Sequence, residues 1–90
     1  MSRSNKKVIP LADFPATKTP QGNKTLFTIT TPHGIITRTT AREYTALAYT
    51  VVDGEIDQVS FRTTIQGAVT SGRALSQPET ETYYGEFTFY

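Results

Sequence analysis

Four residues within the run TPHGIITRTTAREYT (residues 31–45) carry the chemistry worth weighing in this chain: His33, Arg38, Arg42 and Tyr44. A guanidinium matches a phosphate or carboxylate through two parallel hydrogen bonds. The hydroxyls of Thr37, Thr39, Thr40 and Thr45 add donors, and the Tyr44 ring offers a face on which a base can stack. The set predicts a patch for an anionic, aromatic small molecule such as a nucleotide, with Arg38, Arg42 and Tyr44 as contacts and His33 beside them. The bland alternative is a solvent face where Thr–Thr and Arg–Glu cross-strand pairs support a sheet.

Catalysis has no comparable support. His33 is the single histidine, and there is no cysteine. A metal site would need two or three carboxylates to converge, and no such spacing occurs. Ser60, Ser71 and Ser76 lack a base and an orienting group nearby in the sequence. Glu79 and Glu81 fall in a stretch that reads as a solvated loop. Gly67 and Gly72 fit neither phosphate-loop pattern. A histidine in a Pro-His-Gly turn reads as an exposed turn residue. The expectation is a non-enzymatic protein with no catalytic residue, no metal and no cofactor.

Ninety residues make one small domain, and a chain of this size buries only about 60–65% of its unfolded surface. Without cysteine, no disulfide adds to that core. Self-association is a common remedy, and a homo-oligomer is expected. Threonine occurs 17 times and tryptophan not at all, a composition that favours pleated sheet. ALAYTVV, the longest nearly apolar run, is far short of the ~20 residues of a membrane helix. VIPLADFP is broken by Pro10, Asp13 and Pro15 and reads as no signal peptide. No membrane association is expected, and the location is read as cytoplasmic. Residues 1–24 carry five basic side chains against Asp13, net +4; the remainder carries four arginines against seven acids, net −3. An acidic body makes nucleic acid an unlikely partner.

The elements that must position these residues follow from periodicity. Residues 1–24 read as a basic arm with prolines at 10, 15 and 20, excluded from central strands because proline lacks a donor. Ile9, Leu11 and Phe14 would dock the arm on its own sheet or on a partner. Residues 25–31 and 35–40 alternate around Pro32-His33-Gly34 and predict a hairpin. Thr40 to Glu43 has the form of a capping box, but the β-branched and aromatic residues after it argue for a corner at 41–42 and a strand over 43–52. Asp53-Gly54 then predicts a turn into a strand over 55–61. Phe61, Ile65, Ala68, Val69, Gly72 and Leu75 fall on one helical stripe, with Thr63 and Gln66 as its capping box; continuation of the strand competes over 62–70. Residues 82–90 alternate as a last strand, aromatic on both faces. The expected fold is α+β: an antiparallel meander of four strands over 25–61, one helix packed on it, and a C-terminal fifth strand. Phe87 and Phe89 join Ile9, Leu11 and Phe14 as a candidate partner surface.

The run TPHGIITRTTAREYTALAYTVV resembles a strand–turn–strand pattern, T-x-x-G followed by T-R-T-x-x-R-x-Y-T, of small uncharacterised bacteriophage proteins. It covers about a quarter of the chain and departs from the pattern at Ala46, where a histidine is expected. The resemblance implies no activity and no catalytic residue. It implies a phage accessory or anti-defence protein that works inside a host cell, by sequestering a ligand or by blocking a host protein as an inhibitor or adaptor.

Overall fold

The computed structural model describes residues 8–10, 13–77 and 80–89, with backbone only for 8–10. Leu11, the basic residues before Val8, Glu79 and the side chain of Ile9 lie outside the described residues. The fold is mostly β. Seven strands form one mixed sheet: β1 (Val8–Pro10), β2 (Phe14–Gln21), β3 (Lys24–Thr31), β4 (Gly34–Thr40), β5 (Ala46–Val52), β6 (Glu55–Arg62) and β7 (Glu81–Phe89), with helix α1 (Ile65–Leu75) between β6 and β7. The order is β4-β3-β2-β7-β5-β6, and β1 pairs β7 beside β2.

This overturns the four-stranded meander. The three hairpins form where turn chemistry places them. Gly22 (φ 66°) turns β2 into β3, Pro32-His33 turns β3 into β4, and Asp53 and Gly54 (φ 53° and 81°) turn β5 into β6 with the two left-handed residues a type I′ turn requires. The links between hairpins differ from expectation. β4 does not pair β5; β5 lies between β6 and β7, antiparallel to both. β1 and β2 pair β7 in parallel, at Val8↔Thr82 and Phe14↔Phe87. The reason is burial: β5 is covered on both faces, with Leu47, Tyr49 and Val51 in the core and Ala46, Ala48 and Thr50 also buried. A strand covered on both faces needs neighbours on both edges.

Two prolines enter the sheet through β2, against the expectation for the arm. Pro15 precedes Ala16↔Ile29, the first pair with β3, so its missing N–H removes no antiparallel rung. With Gln21↔Lys24 closing a two-residue turn, Pro20↔Thr25 falls at a pair that exchanges no hydrogen bonds.

The strand ends also shift. β5 starts at Ala46, and residues 41–45 cross without regular structure. Thr45 stitches this crossing: its N–H donates to the Arg62 carbonyl (3.0 Å), its hydroxyl to the Thr63 carbonyl (2.7 Å), and its own carbonyl accepts from Phe87 N–H (2.9 Å). A bulge near Tyr49/Val51 leaves Gln58 N–H to the Thr50 hydroxyl at 3.0 Å. The helix is capped one residue later than predicted. Thr64, not Thr63, caps it by accepting from Gly67 N–H at 3.0 Å. It packs on β5, β7 and β6, burying the small residues Ala68, Ser71 and Gly72. No helix among the described residues is long and apolar enough to cross a membrane.

The sheet curls into a nearly closed barrel around Phe14, Phe27, Ile29, Leu47, Tyr49, Val51 and Phe61. The pairings make its two end strands, β4 and β6, run parallel across the remaining gap. A Cβ on Gly34 would meet Ile56 Cδ1 at 3.5 Å, and Arg38 Cζ stands 5.4 Å from the Phe61 ring centroid. No ladder joins these strands; side chains fill the seam.

Candidate ligand-binding site

Register decides what lines the open end of the barrel. Ala16, Ile29 and Ile36 oppose one another across β2, β3 and β4, and all three are buried. Two residues along, Lys18, Phe27 and Arg38 form the next row on that inner face. The row places a cation on either side of a buried phenylalanine.

The floor of this mouth is aromatic. Phe27 lies 6.4 Å from Phe87 and 6.1 Å from Phe89, centroid to centroid. Phe87 meets Phe61 edge-on at 5.9 Å, and Tyr44 lies 5.5 Å from Phe61. Such tilted and edge contacts suit the ring quadrupoles. Phe89 remains 37% exposed, enough to offer a ring to solvent. Lys18 Nζ stands 4.5 Å above that ring. Arg38 Cζ sits 5.8 Å from the Tyr44 centroid as well as 5.4 Å from Phe61. Cation–π attraction of this kind holds the guanidinium in place without neutralising it.

Charges at the mouth are sparsely compensated. Among the described residues, no carboxylate lies within 4.0 Å of Arg38, Arg42 or Arg62. The ion pair at this end, Lys18 Nζ to Glu43 Oε1 at 3.8 Å, is long and exposed, a class worth little. Arg62 Nη1 donates to its neighbour's carbonyl, Phe61 O, at 2.9 Å. Arg42 is exposed on the crossing, its N–H donating to the Thr40 hydroxyl at 3.1 Å.

The sequence-predicted residues therefore regroup. Arg38 and Tyr44 meet, with Arg42 on the neighbouring crossing. Phe87 and Phe89, expected on a partner surface, lie on the floor of the same mouth. Phe14 is a core residue, 2% exposed and 6.1 Å from the Tyr49 ring. Lys18 and Phe27 carry no site signal in the sequence, and Phe61, expected on the helical stripe, lies in β6 instead. Lys18 sits among prolines in a stretch assigned to the arm, although Gly22-Asn23 signals the hairpin that puts it opposite Phe27.

His33 belongs to the other end of the barrel, five residues from Arg38 along β4 or about 16 Å at strand rise. It is half-buried, and its Nδ1 lies 2.7 Å from the buried Tyr49 hydroxyl. Its ring rests on Tyr83 at 4.6 Å and meets Tyr49 edge-on at 5.6 Å. The Thr31 hydroxyl fixes the turn, accepting from His33 N–H (3.2 Å) and donating to the Gly34 carbonyl (2.6 Å). The exposed turn histidine expected from sequence is instead a packed plug. Burial raises the Tyr49 phenol pKa, offset in part by the Thr31 hydroxyl. Tyr83 donates to Glu81 Oε1 at 2.7 Å. This hydrogen bond, with burial and the negative charge of Glu81, pushes the Tyr83 pKa up to about 12. Both phenols stay protonated donors at neutral pH.

The mouth can hold an anion against an aromatic surface. It has no nucleophile paired with a base: among the described residues, no hydrogen bond joins a serine side chain to His33 or to a carboxylate. The chain matches no known protein family, no curated protein and no solved structure.

Proposed function

We propose that this protein is a non-enzymatic binding protein that holds an anionic ligand with a planar aromatic part, a nucleotide fitting best, at the mouth between Lys18 and Arg38. One observation carries the reading: the Arg38 guanidinium is held on the Tyr44 and Phe61 rings with no carboxylate within 4.0 Å among the described residues. Its N–H groups are pre-positioned for a phosphate. Lys18 supplies a second cation, and the exposed Phe89 ring a stacking face. Arg42 approaches from the crossing. His33 takes no part. The phage resemblance of residues 31–52 supports sequestration as the biological role, an accessory protein withdrawing a host ligand.

Calorimetry against nucleoside monophosphates, the matching nucleosides and inorganic phosphate tests this. Nucleotides are expected to bind at least tenfold more tightly than either part alone. Arg38→Ala should weaken nucleotide binding at least tenfold, a loss of about 1.4 kcal/mol. Binding that is unchanged in Arg38→Ala, or equal for nucleoside and nucleotide, would reject the reading.

A further inference from the structure

The two cationic sides of the mouth differ in one respect. Arg38 has no carboxylate within 4.0 Å among the described residues, whereas Lys18 Nζ stands 3.8 Å from Glu43 Oε1. Glu43 lies on the crossing over residues 41–45, which has no regular structure. An anionic group of the chain itself thus rests on the Lys18 side and leaves the Arg38 side open.

The two cations also diverge. Lys18 and Arg38 flank Phe27 in one row, so their Cα atoms are two strand spacings apart, about 10 Å. From there Lys18 leans over Phe89 of the adjoining β7, 4.5 Å from its centroid. Arg38 leans the other way, across the seam, to stand 5.4 Å from Phe61 of β6. β7 neighbours β2, while β6 is the far end strand, so the two heads point to opposite rims. Sharing one phosphate would need both heads about 2.8 Å from its oxygens, which takes at least one of them off its ring. Between them lie the rings of Phe27, Phe87 and Phe89, which carry no polar atom.

We propose that Lys18 is a second anion subsite, held by Glu43 until a ligand arrives, and that the ligand carries two phosphates separated by its sugar, as in a nucleoside 3′,5′-bisphosphate. This rests on the reading of the mouth as a nucleotide site with Arg38 as its first cation. One phosphate takes Arg38, the base lies on the aromatic floor, and the second phosphate takes Lys18 from Glu43. The exchange costs little. The pair is long, its side chains are 43% and 82% exposed, and such pairs are weak. The displaced carboxylate returns to water. The 5′ and 3′ phosphates of a nucleotide project from opposite sides of its sugar. Those of a 5′-diphosphate share a bridging oxygen and crowd onto one cation. A ligand with a single phosphate leaves Glu43 in place.

Calorimetry tests this with the 5′-monophosphate, 5′-diphosphate and 3′,5′-bisphosphate of adenosine. The proteins are wild type, Lys18→Ala, Glu43→Gln and the double variant, with circular dichroism to check the fold. The bisphosphate should bind wild type about tenfold more tightly than the other two, the worth of one charge-assisted contact. Lys18→Ala should abolish that advantage and leave monophosphate binding unchanged. Glu43→Gln should tighten bisphosphate binding about threefold. That gain should vanish in the double variant, because the exchange acts through Lys18. A single strand offers the same phosphate spacing. A trinucleotide that binds more tightly than the bisphosphate makes the source a strand, and weaker binding makes it a free nucleotide. Equal affinity for bisphosphate and diphosphate, an advantage that survives Lys18→Ala, or a Glu43→Gln gain that persists without Lys18 overturns the second subsite. Monophosphate binding that depends on Arg38 would stand in each of those cases. Wild type that binds no nucleotide overturns both readings.

Discussion

Replacing Tyr49 by phenylalanine isolates the contact that closes the His33 end of the barrel. The phenol ring stays, with its packing on Phe14 and Tyr83 at 6.1 and 5.6 Å. Only the hydroxyl, 2.7 Å from His33 Nδ1, is lost. A buried hydrogen bond of this kind contributes about 1 kcal/mol net. The partner left behind is a half-buried ring that can turn to water, so the larger penalty for a stranded buried group does not apply. The expected loss is therefore about 1 kcal/mol, or about 4–8 °C in Tm for a domain of this size. Urea unfolding of the wild type, Tyr49→Phe, His33→Ala and the double variant gives the coupling directly. The cycle should return about 0.5–1.5 kcal/mol between the two residues. Additive losses would refute the claim that His33 is a packed plug and restore it as a free turn residue.

Two further outcomes follow from the geometry. Phe27 is 1% exposed and stands between Lys18 and Arg38 under the mouth, so Phe27→Ala should cost about 3–5 kcal/mol, measured by denaturant midpoint. Tyr83, with its pKa raised to about 12 by Glu81, favours the protonated fold against an unfolded tyrosine at about 10. That contribution is complete below pH 10 and is lost as the pH rises through 12. Stability should fall over this window, and Tyr83→Phe should flatten the fall in pH-dependent urea titrations.

The sequence by itself determined the local elements. Proline, glycine and Asp-Gly chemistry located the hairpin turns, because those residues restrict or free φ within a few positions. Strand alternation marked most strand cores, and the stripe from Ile65 to Leu75 marked the helix. It also marked Arg38 and Tyr44 as candidates for a binding site, since guanidinium and phenol are legible as residue types. Tertiary structure alone decided which strands pair. The parallel contacts of β1 and β2 with β7 join residues more than 70 positions apart, and no local signal encodes such a pairing. The order followed from the need to cover β5 on both faces. That order brought Lys18, Phe27 and Arg38 into one row, put Phe87 and Phe89 on the floor of the mouth, and sent His33 to the opposite end. The candidate site was thus half legible. Its arginine and tyrosine could be read from their neighbours, but its lysine and phenylalanines acquired their meaning only from the register across strands.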